Sequence, residues 1–119
     1  MKDLRMHDLR MYVLVNRDIK VTKGKLAGQI GHAVNVLTYN YCNDQRNIIH
    51  EYMKGQIKKI ILYTDQSHLE ELESKGYVSI RDAGLTELEP NTLTCVNLGI
   101  IDYHNIPEEL NFIKKLKLV

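Results

Sequence analysis

An almost unbroken apolar run from Met11 to Asn16 has the pattern of a strand buried on both faces of a parallel sheet. The period then changes. Leu26, Ile30, Ala33 and Leu37 recur at helical spacing, and Thr22 is placed to cap a helix that begins at Lys23. Gly24, Gly28 and Gly31 weaken that helix intrinsically, so their expected use is close approach, either of the helix to the sheet or of a ligand to the backbone. A shorter helix is predicted from about Asp44 to Met53 on Ile48, Ile49 and Tyr52, with Gly55 resetting the chain.

Ile57 to Tyr63 reads as a second strand, and Ser67 with Glu70 forms a capping-box pattern that opens a helix ending near Gly76. Tyr77 to Arg81 reads as a third strand, Asp82 to Asn91 as a loop and Thr92 to Ile100 as a fourth strand, after which Pro107 fits the first turn of a closing helix. Strands alternating with helices imply right-handed crossovers, and the predicted class is α/β: one domain with a mixed, mostly parallel four-stranded sheet sandwiched between helices. Asp-Leu-Arg-Met occurs at 3–6 and again at 8–11, too short a unit for a structural repeat. Residues 1–10 are accordingly read as a flexible leader and 11–119 as the domain.

A chain of 119 residues with 44% apolar content is enough for one core and leaves no room for a second domain. The longest apolar runs fall far short of the roughly 20 residues of a membrane span, no secretory leader opens the chain, and Cys42 and Cys95 form neither a metal spacing nor a disulfide framework. A soluble protein of the reducing cytoplasm is expected. Sixteen Lys and Arg against fifteen Asp and Glu leave a net charge of +1, so total charge announces no nucleic-acid partner. Positive charge does cluster, at Lys20, Lys23 and Lys25, at Lys54, Lys58 and Lys59, and at Lys114, Lys115 and Lys117.

Lys25, Gln29 and His32 are spaced by four and then three residues, which puts three polar groups on one stripe of the first helix. Lys25 lies in the first turn, where the helix dipole disfavours a cation by about 0.3 to 1 kcal/mol unless an anion binds beside it. Asp82 follows the third strand, and carboxyl ends of strands border the ligand crevice of open α/β sheets. Thr92 and Thr94 alternate on the next strand, so their hydroxyls should face one side. No motif for a covalent nucleophile or a metal appears in the sequence; if the chemistry is hydrolysis, the simpler attacker is a water that Asp82 orients or deprotonates.

Several segments together resemble the type II peptidyl-tRNA hydrolase family: Arg17-Asp18-Ile19-Lys20, Thr22 to Gln29 with His32-Ala33, Gly55-Gln56, Asp82-Ala83-Gly84 with Thr86, Leu88-Glu89-Pro90, Thr92 to Cys95 and Leu116-Lys117-Leu118. The joint pattern runs from Met11 to Val119 and is far more specific than any one piece. The resemblance implies a mixed sheet whose last strand is antiparallel, peptidyl-tRNA as substrate, no cofactor and a homodimer. It implies Lys25, Asp82 and Thr94 as catalytic residues, with Gln29, His32 and Thr86 orienting them, and Lys20 and Lys23 are read as tRNA phosphate contacts.

Family members usually carry a basic residue where this chain has Leu85 and a Gly-Ile-Gly-Pro segment where it has Asn97 to Ile100. The basic residue ahead of Asp18 is also shifted, to Arg17 after Asn16. Two rival readings follow from the same residues: a binding module of this fold without activity, and a hydrolase of another acyl ester.

Overall fold

The computed structural model describes residues 7–85 and 87–119. The chain runs β1 (Leu9–Asn16), α1 (Lys23–Asp44), α2 (Arg46–Lys54), β2 (Lys58–Thr64), α3 (Gln66–Ser74), β3 (Val78–Arg81) and β4 (Leu93–Asp102), followed by 3₁₀ turns at Tyr103–Asn105 and Glu108–Lys115. No helix among the described residues is long and apolar enough to cross a membrane.

The β1 side chains go alternately to two cores. Met11, Val13 and Val15 pack with Ala33 and Leu37 of α1, whereas Tyr12 and Leu14 pack with Leu69 and Leu72 of α3. Each fully buried aliphatic of this kind contributes about 1.5 to 3 kcal/mol. Burial on both faces is why the strand reads as a continuous apolar run rather than an alternating one.

Sheet order is β2-β1-β4-β3. The expected mixed sheet with an antiparallel last strand is present, but "mostly parallel" needs correcting at the level of pairings. Because β4 is inserted between β1 and β3, both of its pairings are antiparallel, and β1 with β2 is the parallel pair. Helices do connect β1 to β2 and β2 to β3, and the second connection brings β3 to the far side of β4, a strand that follows it.

Several local expectations shift. The first strand begins two residues before Met11, at Leu9, because Asp8 is tied down: its amide donates to Asp102 Oδ1 at 3.1 Å and its carboxylate takes Arg10 and Lys58. Helix α3 is capped by Asp65, which accepts the His68 amide at 2.8 Å, so Ser67 lies inside the first turn instead of opening it. Pro107 occupies the cap position and the closing element is 3₁₀ rather than a regular α-helix. Gly24, Gly28 and Gly31 have no protein atom within 4 Å of where a Cβ would stand, so they serve no close approach to the sheet.

Candidate active site

Thr22 caps α1 as predicted, its Oγ1 accepting the Lys25 amide at 3.3 Å, and the helix then carries Lys25 and Gln29 past the carboxyl end of β3. There Lys25 Nζ lies 2.6 Å from Asp82 Oδ1. Gln29 Nε2 donates to the same oxygen at 3.3 Å, and the other carboxylate oxygen accepts the Gly84 amide at 2.8 Å. Asp82 is only 6% exposed. The Lys25 ammonium, and after it the Gly84 N–H, holds its carboxyl below the usual carboxylate range; the nearby His32 acts in the same direction.

Thr94 stands behind Gln29. Its hydroxyl donates to Gln29 Oε1 at 2.8 Å and to Ile80 O at 3.0 Å, so one proton is shared between two acceptors. The register explains why it points there. Ile80 pairs with Cys95 but Arg81 pairs with Leu93, which leaves Thr94 as the extra residue of a bulge, and bulges re-aim side chains next to functional sites. Thr94 is fully buried. It therefore reaches Asp82 through Gln29. Thr92, by contrast, closes its own loop, donating to Glu89 O at 2.7 Å.

The loop after β3 is built to present Asp82. The Asp82 amide donates to Thr92 O and the Asn91 amide to Asp82 O, at 2.8 and 2.7 Å, which pinches the loop at its base. Gly84 has φ +78, and a Cβ there would meet Pro90 backbone atoms at 2.6 Å, so a side chain has neither the conformation nor the room. Leu85 projects from the tip, 87% exposed.

Of the residues singled out from sequence, Lys25, Gln29, Asp82 and Thr94 form one connected network. His32, Lys20 and Lys23 are exposed around it. Thr86 lies outside the described residues. Two further contributors carried no motif. Asn16, at the carboxyl end of β1, donates to Leu93 O at 2.8 Å and Gln66 Oε1 at 2.5 Å, holding the start of β4 in place. Glu87 accepts both the amide and the hydroxyl of Thr22. Asn16 could have been found from its place at the end of a predicted strand; nothing local marked Glu87.

This arrangement can polarise water and stabilise negative charge: a carboxylate lies beside an ammonium with further donors to offer, and the carboxylate is held by the buried amide of Gln29. A family model described as Peptidyl-tRNA hydrolase PTH2 matches residues 9–119. The chain belongs to this family. Relatives named peptidyl-tRNA hydrolase include one from Staphylothermus marinus, 35% identical over 106 residues, covering 81% of this chain and 85% of that protein. Those of Methanopyrus kandleri and Thermoplasma acidophilum are 35% and 32% identical over 97 residues, each covering 76% of this chain and 83% of the relative.

Within that family frame the departures at 97–100 have a structural account. Asn97 is buried, donates to Ala33 O at 3.1 Å and accepts the Gly99 amide at 2.9 Å, while the Ile100 amide donates to Tyr41 Oη at 3.2 Å. A proline at 100 would have no N–H for that bond. The polar side chains of Asn97 and Tyr41 thus tie α1 to β4.

Proposed function

We propose that this chain hydrolyses the ester between peptide and tRNA in peptidyl-tRNA, releasing the tRNA and a peptide carboxylate. The single observation that carries this reading is the 2.6 Å Lys25–Asp82 pair braced by Gln29 and Thr94 at the carboxyl end of β3. Asp82 orients a water against the ester carbonyl and accepts its proton as the C–O bond forms. Lowering its pKa makes the carboxylate a weaker base, so its larger contribution is placing the water. Lys25 then offers a donor to the developing oxyanion or to a neighbouring phosphate. Collapse expels the ribose oxygen of tRNA, which takes up the proton. Gln29 fixes Asp82, Thr94 fixes Gln29, and His32 and Thr86 complete the orientation. Lys20 and Lys23 contact backbone phosphates.

The family resemblance supports a homodimer in the cytoplasm, where the substrate arises, and sedimentation at working concentration tests the assembly. The deciding experiment incubates the protein with peptidyl-tRNA and with a free aminoacyl ester and measures released tRNA and released acid. Release of tRNA supports the reading. Binding without release would favour a module that has lost activity, for which the exposed Leu85 is the best argument. Preference for the free ester would favour a different substrate. Affinity for tRNA should fall with salt on a shallow slope, since the net charge is +1 and few phosphates are met.

A further inference from the structure

The loop between β3 and β4 is fastened to α1 in two places. One is Asp82 at its start, held by both Lys25 and Gln29. The other is Glu87, whose Oε1 accepts the Thr22 amide at 2.8 Å and whose Oε2 accepts the Thr22 hydroxyl at 2.5 Å. Thr22 is itself the cap of α1, with Oγ1 accepting the Lys25 amide. A chain of hydrogen bonds therefore runs from the loop carboxylate through the cap to the backbone of the residue that pairs with Asp82. Among the described residues of the span 83–88, Glu87 makes the only hydrogen bonds to α1. Ala83, Leu85 and Glu87 itself are exposed, while Gly84 and Leu88 are half-buried.

We infer that Glu87 is a positioning residue for hydrolysis: by clasping Thr22 it holds the loop that carries Asp82 against the helix turn that carries Lys25. The clasp needs acceptor and donor geometry, not charge. The charge opposes the substrate, because it places a carboxylate at a face that receives a polyanion. A glutamine retains the clasp, its carbonyl accepting the Thr22 amide and its NH₂ donating to the Thr22 hydroxyl, while removing that repulsion. The two roles of Glu87 therefore separate in different kinetic constants.

The inference rests on the hydrolase reading, and the test keeps the two apart. Steady-state kinetics on peptidyl-tRNA are measured for the wild type, E87Q and E87A, with thermal melts confirming the fold and amide exchange followed at Thr22. E87A should lower kcat roughly 10- to 100-fold with KM little raised and Thr22 exchange accelerated, since a small misplacement of reacting groups costs that much. E87Q should restore kcat and Thr22 protection, and lower KM about 2- to 5-fold by loss of one exposed charge. A folded E87A with kcat within about 2-fold of an active wild type would overturn the inference, because positioning effects exceed that range. So would an E87Q as impaired as E87A. A wild type that releases no tRNA would overturn the hydrolase reading itself, and this role with it.

Discussion

Thr94 donates its hydroxyl to Gln29 across 2.8 Å, joining a strand to a helix 65 positions earlier in the chain, and through Gln29 it fixes the carboxylate of Asp82. Thr94 acts at one remove because it is fully buried. Thr94→Val, nearly the same shape without the hydroxyl, should leave the Gln29 carbonyl oxygen unsatisfied at a stability cost of about 1 to 3 kcal/mol. It should also slow hydrolysis in the fraction that stays folded, while Thr94→Ser keeps most of the rate. Single-turnover release of tRNA alongside thermal melts checks both; a folded Val variant with wild-type turnover would show that Gln29 holds its place unaided.

Asp82→Asn separates binding from catalysis. It keeps size but removes the carboxylate that pairs with Lys25, orients the water and accepts its proton, so hydrolysis should fall by about 10² to 10⁴. Affinity for tRNA should hold or rise slightly, since a negative charge is deleted beside a polyanion. Lys25→Ala should weaken both, and it strands the carboxylate of Asp82 at 6% exposure without the ion pair. Filter binding with a non-hydrolysable substrate, read beside turnover, distinguishes the two variants. Near-normal hydrolysis by a folded Asp82→Asn would reduce Asp82 to a loop-former.

The pH dependence follows from the direction of the carboxylate shifts. Lys25 holds the Asp82 carboxyl low, Arg10 with Lys58 holds Asp8 low, and Arg81 holds Glu73 low. A group depressed in the folded state contributes stability above its unfolded pKa and loses it as pH falls through the folded value. The stability of these pairs should therefore be intact at pH 5 and decline below about pH 4, where unfolded Asp and Glu begin to protonate. In Lys25→Ala the leading cause of the Asp82 depression is gone, so the acid limb of its residual activity should move to higher pH. Unfolding free energies and pH–rate profiles of wild type and variant provide the comparison; coincident acid limbs would mean that Asp82 does not govern the profile.

Gly84→Ala should disturb the site without touching a charged group. Its φ of +78 costs a side chain about 1 to 3 kcal/mol, and the new methyl would meet Pro90. The amide that binds Asp82 Oδ2 would shift, so kcat should drop more than global stability does. Retained kcat at unchanged melting temperature would show that the loop relaxes without cost to Asp82.

How much of this was legible from the chain divides along local and non-local lines. Thr22 capping α1, the Lys25–Gln29–His32 stripe, the doubly buried β1 and the exposed loop beginning at Asp82 all follow from properties of neighbouring residues: rotamer freedom, hydrogen-bonding reach over three residues, and the 2.0 and 3.6 periods. The family pattern in the sequence also marks Lys25, Asp82 and Thr94, which the fold links through Gln29.

What the sequence could not determine required distant segments to meet. The apolar run of β4 suits either edge or centre of a sheet, so its insertion between β1 and β3, which turns a nominally parallel sheet into one with two antiparallel pairings, is decided only by which faces can be buried together. The bulge at Thr94 arises from that pairing, because Ile80 and Arg81 align with Cys95 and Leu93 and leave the intervening residue over. A threonine that looks like any strand threonine thereby turns toward Gln29, and Glu87, unmarked in its loop, comes to rest on the cap of α1. Side-chain type and local period are written along the chain; which hydrogen-bonding groups share a buried space is settled only when the sheet closes, because the cost of leaving any of them unpaired is felt only there.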